Sequence, residues 1–300
     1  MSKPDIAVAI PTYKREAVLL DTIQDVLNQS HHNLELLVVD QSPEHSDEFT
    51  QSLTKTSDDR LRYFLADPPS LPAARNFALH HAKAPIVLFL DDDVVLSKDL
   101  VKHCLQAFAD HPDVSAVAGR VLQKGFPIKK DVLRFNELAV SHGVFTATEA
   151  AYTNAFPGGN CALKVVDALK LGGFDTRFLG NAFREESDMA RKMTQAGMKI
   201  FYEPQAELTH LAAHSGGTRA KTYTDILDTK IFYRNELFFT IRAVQNKYLF
   251  KALGYKYREY CRGRGKKVAL HRSTYFVLGL TGAFWRELFG RQTITKERVS

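Results

Sequence analysis

The chain has 300 residues, 45% hydrophobic and 25% charged, an ordinary composition for a soluble globular protein and enough for one large α/β domain with an appendage. Its three cysteines, Cys104, Cys161 and Cys261, lie far apart without paired spacing, which excludes a disulfide framework or zinc cluster and fits a reducing compartment. The net charge of +6 is uneven: residues 219–300 hold 18 Lys and Arg against 6 Asp and Glu, leaving 22 against 28 in the first 218, an acidic body that argues against nucleic acid as the main substrate.

Met1–Asp5 has no apolar signal-peptide core, and no later run reaches the roughly 18–20 apolar residues of a spanning helix, so neither secretion nor membrane spanning is expected. Ile6–Ile10 reads as a buried strand closed by Pro11. A helix follows from about Ala17 to Gln29, on the spacing of Val18, Leu19, Ile23, Val26 and Leu27. Leu34–Val39 then reads as a second strand ending on Asp40. Strand, helix and strand in this order make a βαβ unit with parallel strands, so Asp40 leaves the sheet at its C-terminal edge.

Leu61–Leu65 is a short third strand, Asp67–Ser70 a loop, and Pro72–Ala82 a helix with Arg75 and Asn76 in its first turns. Ile86–Leu90 is an apolar run without alternation, the pattern of a strand buried on both faces, and it ends abruptly in Asp91, Asp92 and Asp93. Ligands of open α/β sheets bind at that edge, where alternate side chains such as Asp91 and Asp93 share one side of the turn. Like charges packed together call for a cation. Oxygen ligands favour Mg2+ or Mn2+, with positions left for substrate phosphates; a solvated acidic turn is the plainer alternative.

A helix from about Lys98 to Ala109 and a strand over Val114–Gly119 come next, then a stretch of mixed signals over 124–155 that reads as an excursion shaping a substrate pocket. Phe156–Asn160 is expected as a turn in which Gly158 and Gly159 permit positive φ and close approach of the backbone to a ligand. A helix to Lys170 and a glycine cap at Leu171–Asp175 follow. Arg184–Asp188 opens another helix, with Glu186 on the face of Met189, Ala190 and Met193, which is expected to turn inward. Glu185, Glu186 and Asp188 in one turn are more than a helix dipole needs. Ile200–Tyr202 and Ala206–His210 are the closing strands.

Taken in order, Ala9–Arg15, Val38–Asp40, Ala74–Asn76, Phe89–Asp93, Gly158–Asn160, Gly172–Asp175, Glu185–Asp188 and Glu203–His210 resemble the motifs of the family-two inverting glycosyltransferases of the GT-A fold, over about residues 5–215. The resemblance implies a nucleotide-diphosphate sugar, UDP- or GDP-linked, along the sheet edge. Pro11, Thr12, Tyr13 and Arg15 would line the nucleotide, with Asp92 beside it, and Asp40 would accept from the base. Asp91, Asp93 and His210 would hold Mn2+ or Mg2+. Arg75 would reach a phosphate or make a structural pair with an aspartate. Glu186 maps onto the base that takes the acceptor's proton; the chain has Glu-Glu where the family commonly has Glu-Asp, which keeps Glu185 and Asp188 as alternatives. Gly158, Gly159 and Asn160 would meet the sugar or acceptor, and His214 and Arg219 would sit on a loop over the diphosphate.

The expectation is therefore a GT-A catalytic domain, mostly parallel α/β, over 1–218 and a helical, basic, aromatic-rich extension over 219–300. Within the extension, Thr222–Val244 has the pattern of a helix, with Leu227, Ile231, Leu237, Phe238, Ile241 and Val244 on one side. Basic residues interleaved with aromatics fit either an anionic membrane surface or a helix packed on the domain with a solvated positive face. A hydroxyl of a glycan or a lipid-linked acceptor is the expected sugar acceptor, in the cytoplasm or peripherally on the inner face of the cell membrane. A sugar nucleotidyltransferase would carry a glycine-rich phosphate loop after the first strand, and Pro11–Lys14 lacks one. A non-catalytic binding protein is opposed by the complete acidic sets.

Overall fold

The computed structural model describes residues 3–212, 229–261, 266–292, 294, 296 and 297. The body begins with β1 (Ile6–Thr12), α1 (Ala17–Leu27), β2 (Leu34–Asp40), α2 (Asp47–Lys55), β3 (Leu61–Asp67), α3 (Leu71–His81) and β4 (Ile86–Leu90). It continues through β5 (Val94–Leu96), α4 (Leu100–Asp110), β6 (Val114–Leu122), the short strands β7 (Arg134–Phe135), β8 (Ser141–His142) and β9 (Ala151–Thr153), then β10 (Asn160–Lys164) and α5 (Val165–Lys170). α6 (Glu185–Gln195) and β11 (Lys199–His210) complete it. Three further helices, α7 (Lys230–Ala243), α8 (Leu249–Cys261) and α9 (Lys266–Phe289), and a two-residue strand β12 (Lys296–Glu297) follow.

The main sheet runs β12-β3-β2-β1-β4-β10-β6-β11-β5, with β9 also on β11. β3, β2, β1 and β4 are parallel, as is β11 to β6, and β10 lies antiparallel between β4 and β6. Alternation along β1 divides the core. Ile6, Val8 and Ile10 face α1 and α4, while Ala7 and Ala9 face α3 and α6. Ile23 and Val26 of α1 and Met189, Ala190 and Met193 of α6 are fully buried, and each large side chain of this kind stabilises the fold by about 1.5–3 kcal/mol. The register Thr12↔Asp40 brings the ends of β1 and β2 to one edge, beside the end of β4.

Four of the differences from expectation bear on the site and on what packs beside it. The segment after Gly159 is the central strand β10 and not the start of a helix; its apolar core, Cys161–Leu163, has the length of a strand, and the helix is confined to Val165–Lys170. The two closing strands are one, β11, with an irregularity between Glu203 and Glu207. β5 was not expected, because three residues after the acidic turn carry too little pattern to read. The C-terminal helix lies at 230–243, residues 213–228 being outside the described part, and it is not one-sided: Phe232, Tyr233 and Asn235–Thr240 are all buried.

That helix is enclosed because α8 and α9 wrap it against the body. Phe232, Leu237, Phe238 and Phe239 of α7 share one core with Tyr260, Phe276 and Ala283 of the later helices and with Ala139, Phe178 and Ala182 of the body. β12 returns to pair with the outer edge of β3, at Lys296↔Asp67 and Glu297↔Ala66. No helix among the described residues is long and apolar enough to cross a membrane.

Candidate active site

β4 ends at Leu90, and the chain turns through Asp91–Asp93 into β5, which lies antiparallel on the end of β11 with His210 opposite Val94. This pairing brings an imidazole from the end of β11 to the acidic turn. His210 Nε2 lies 3.5 Å from Asp91 Oδ2 and 3.4 Å from Asp93 Oδ1. One ligand atom from each of Asp91, Asp93 and His210 fits within 4.8 Å of the others, the geometry of a small-ion site. Asp93 and His210 are buried, and Asp91 is partly open toward the cleft. Ala212 N donates to His210 Nδ1 at 3.1 Å, so the neutral ring carries its proton on Nε2, facing the carboxylates. To hold an ion through Nε2, His210 would take the tautomer with its proton on Nδ1.

Asp92 points elsewhere. Its Oδ2 accepts from Thr12 Oγ1 and its Oδ1 from Arg15 Nη1, both at 2.7 Å, while its carbonyl accepts from Thr22 of α1. Arg15 also reaches Asp93 Oδ2 at 3.0 Å. Burial pushes the Asp92 carboxyl up to about 6, against the pull of Arg15 and Thr12. Thr12, Arg15 and Asp92 thus brace the acidic turn on β1 and α1. An open cleft lies in front of them, lined by Pro11, Thr12, Tyr13, Arg15, Asp91–Asp93, Gln41, Pro69–Leu71, Gly180 and Asn181. Asp40 sits beneath, 1% exposed, with Oδ1 accepting from Ser42 N at 2.7 Å and Oδ2 from Tyr63 OH at 2.5 Å.

The first turn of α6 separates its three acids. Glu185 is 1% exposed and ion-paired with Arg75, whose Nη2 also donates to Gly158 O at 2.9 Å and whose plane faces Phe89 and Phe174. Arg75 therefore makes a structural pair, with a glutamate where an aspartate was expected. Asp188 is fully buried between Arg191 Nη2 at 2.9 Å and Arg242 Nε at 3.0 Å. Glu186 is partly exposed, not inward as expected, and its Oε1 accepts from Ser187 Oγ at 2.9 Å. The helix is entered from Arg184 in the left-handed region (φ 78°); the face of Met189, Ala190 and Met193 turns inward as expected, and Glu186, on the same side but in the first turn, is left partly exposed at its end. Burial lifts the Cys161 thiol to about 12; Arg75 opposes, and the Glu186 and Asp91 carboxylates push it further up.

The glycine pair serves packing within the protein. Neither Gly158 nor Gly159 has positive φ; a Cβ on Gly158 would press on Arg75 Nη2 and one on Gly159 on the Asp91 carboxylate. Asn160 does not face the cleft. It is 1% exposed, and its Nδ2 donates to the carbonyls of Arg120 at 3.0 Å and Ala206 at 2.9 Å, tying β10 to β6 and β11. Asn76 likewise grips Phe174 through both its amide atoms. His214 and Arg219 lie outside the described residues. Sequence reasoning missed Gln41, which holds Pro68 O and Ser70 N and so shapes one cleft wall, and Gly180–Asn181, which form another. Neither carries a local signal.

Residues 7–162 match the family described as Glycosyl transferase family 2. The putative teichuronic acid biosynthesis glycosyltransferase TuaG of Bacillus subtilis is 31% identical over 132 residues, 43% of this chain and 52% of that protein. The GalNAc(5)-diNAcBac-PP-undecaprenol beta-1,3-glucosyltransferase of Campylobacter jejuni is 24% identical over 244 residues, 78% of this chain and 63% of that one. The matches thus span less than two thirds of either relative's length. In fold, the chain resembles a mannosyltransferase from Pyrobaculum calidifontis solved with GDP-Man and Mn2+, with TM-score 0.56, 21% identity, and coverage of 97% of this chain and 77% of that one. It also resembles GalNAc-T7 solved with UDP, GalNAc and Mn2+, with TM-score 0.66, 14% identity, and coverage of 95% and 57%. The match runs from the first strand through the acidic turn to β10: the chain has the GT-A fold and belongs to glycosyl transferase family 2.

Proposed function

We propose that the chain transfers a sugar from a UDP- or GDP-linked donor to a hydroxyl of a glycan or lipid-linked acceptor, with inversion, by one in-line displacement. The observation that supports this best is the convergence of Asp91, Asp93 and His210 at the mouth of a cleft whose floor is the end of β1. Two carboxylates and an imidazole suit Mn2+ better than Mg2+, which prefers oxygen alone. When bound there, a divalent ion supplies charge neutralisation for the diphosphate leaving group.

The chain's own residues do the rest. Pro11, Thr12 and Tyr13 form the wall for the nucleotide, with Gln41 and Ser70 across from them, and Asp40 sits below the base end. Arg15 and Asp92 keep the acidic turn in place. Glu186 takes the proton of the acceptor hydroxyl, because Glu185 and Asp188 are held by arginines and Glu186 carries no ion pair among the described residues. Gly158 and Gly159 let Asp91 and Arg75 sit against the backbone. In this reading residues 1–218 are the catalytic domain, and the basic extension of 219–300 serves an acceptor carried on the inner face of a membrane.

The test is a melting-temperature screen of UDP and GDP with Mn2+, followed by transfer from the matching nucleotide sugar with the product's anomeric configuration read by NMR. Stabilisation that needs Mn2+ and an inverted product support the reading. A retained configuration, or full transfer by Glu186→Gln, overturns it.

A further inference from the structure

Arg234 and Arg286, between α7 and α9, make no ion pair among the described residues. Arg234 Nε and Nη2 are shut off from solvent and donate no hydrogen bond. Burial, with Arg286 adding to it, holds the Arg234 guanidinium down to about 10. Burial lowers Arg286 too, Asp175 opposing and Arg177 adding to it. Arg234 lies close to the α9 backbone because α9 has glycines where it crosses α7, which brings the two charges near enough to act on each other. A Cβ on Gly279 would press into the backbone of Tyr233 and Arg234, and one on Gly282 would stand 3.0 Å from Arg234 Cδ, one helical turn before Arg286.

The carboxylates nearby are engaged elsewhere. Asp175 is held by Arg177 and Arg242, Glu287 by Arg242 and Arg177, and Glu236 by Arg184 and Lys256. Buried charged donors without partners are rare in native folds and point to an acceptor brought from outside. Paired guanidiniums suit phosphate oxygens best.

Position narrows the ligand. Ile231, one turn before Arg234, packs on Gly180, which lines the cleft with Asn181. On the other side, α9 leaves a stripe of Val277, Trp285, Leu288 and Phe289 open, with Trp285 67% and Leu288 71% exposed. We propose that Arg234 and Arg286 form a diphosphate site for a lipid-linked acceptor, distinct from the corner that receives the donor's diphosphate. This rests on the lipid-linked acceptor of the proposed function. The arginines take the diphosphate, and the open stripe of α9 lies against the lipid chain that follows it.

The test uses the full chain in excess EDTA, which keeps the acidic corner out of play. Inorganic diphosphate is expected to raise the melting temperature of the wild type and not of Arg234→Gln/Arg286→Gln, with Arg234→Lys keeping part of the shift. The double variant is expected to fold, since neither side chain has an ion pair to lose among the described residues. Neutral phosphatidylcholine vesicles doped with a polyprenyl diphosphate should bind the wild type about tenfold more tightly than vesicles with equal charge from phosphatidylglycerol, a difference the double variant loses. In transfer assays the double variant should raise the acceptor KM with kcat and donor KM unchanged. Equal binding to both vesicles would assign the arginines to any anionic headgroup and overturn the proposal, as would an equal diphosphate shift in wild type and double variant. A chain that binds diphosphate through these arginines but transfers no sugar would sink the transferase reading and leave the site standing.

Discussion

Two buried acidic clusters in this protein differ in how their charge is met. Around α7, Asp175, Asp188 and Glu236 face Arg177, Arg191, Arg242, Arg184 and Lys256, and burial, which alone would raise Asp175 and Glu236, is outweighed so that both carboxyls lie below their ordinary range. At the end of β4, Asp91, Asp92 and Asp93 converge, and among the described residues the one guanidinium paired with them is Arg15. Burial there lifts Asp92. A cluster interleaved with arginines and a lysine holds helices together, whereas the turn after β4 gathers ligand atoms of two carboxylates and an imidazole at one point, the donor set of an ion site.

The largest break in this contrast is expected from Asp93→Asn. It should abolish Mn2+-dependent nucleotide binding and cut transfer by about three orders of magnitude, the scale of losing electrostatic stabilisation of a leaving group. Glu186→Gln should lower kcat by about 10²–10⁴-fold, as for removal of a general base, and leave nucleotide binding intact by calorimetry. Glu185→Gln, its neighbour, should act on stability first. It strands Arg75, and breaking a buried pair from one side costs about 3–5 kcal/mol in denaturant unfolding.

A smaller effect separates the clusters by pH. The depressed carboxyls Asp175 and Glu236 bind fewer protons folded than unfolded, so the stability they contribute is complete above the ordinary carboxylate range, about 4, and is lost as pH falls through their lowered values. Asp92 runs the other way: its raised pKa makes its contribution greatest in acid and lost as pH rises through about 6. Melting temperature against pH should therefore fall steeply on the acid side, and Glu236→Gln should flatten that limb at a lower plateau. An acid limb that Glu236→Gln leaves unchanged would show that the α7 cluster is not its source.

Much of the site was legible because it is local. The apolar run before three aspartates and the strand–helix–strand opening predicted which residues reach the sheet edge, and Asp91, Asp93 and His210 do meet there. Asn160 was misread because a Gly-Gly-Asn turn at a ligand edge and a Gly-Gly-Asn entry to a central strand look alike in one dimension. The inward face of Met189, Ala190 and Met193 was read correctly, but a helical wheel does not say where along that face the core ends, and Glu186 in the first turn is left partly exposed. β5 was invisible for its shortness, although it is what delivers His210.

Periodicity and abrupt polarity changes depend on neighbours in the chain, so the strand–helix–strand opening and the position of the acidic turn followed from sequence alone. Which acid is clamped and which is left open did not. Arg75 meets Glu185 across 110 residues, and Arg184 meets Glu236 across 52. Burial and pairing over such separations are set only when the layers close, and they are what divides three similar carboxylates on one helical turn into two held by arginines and one left partly open.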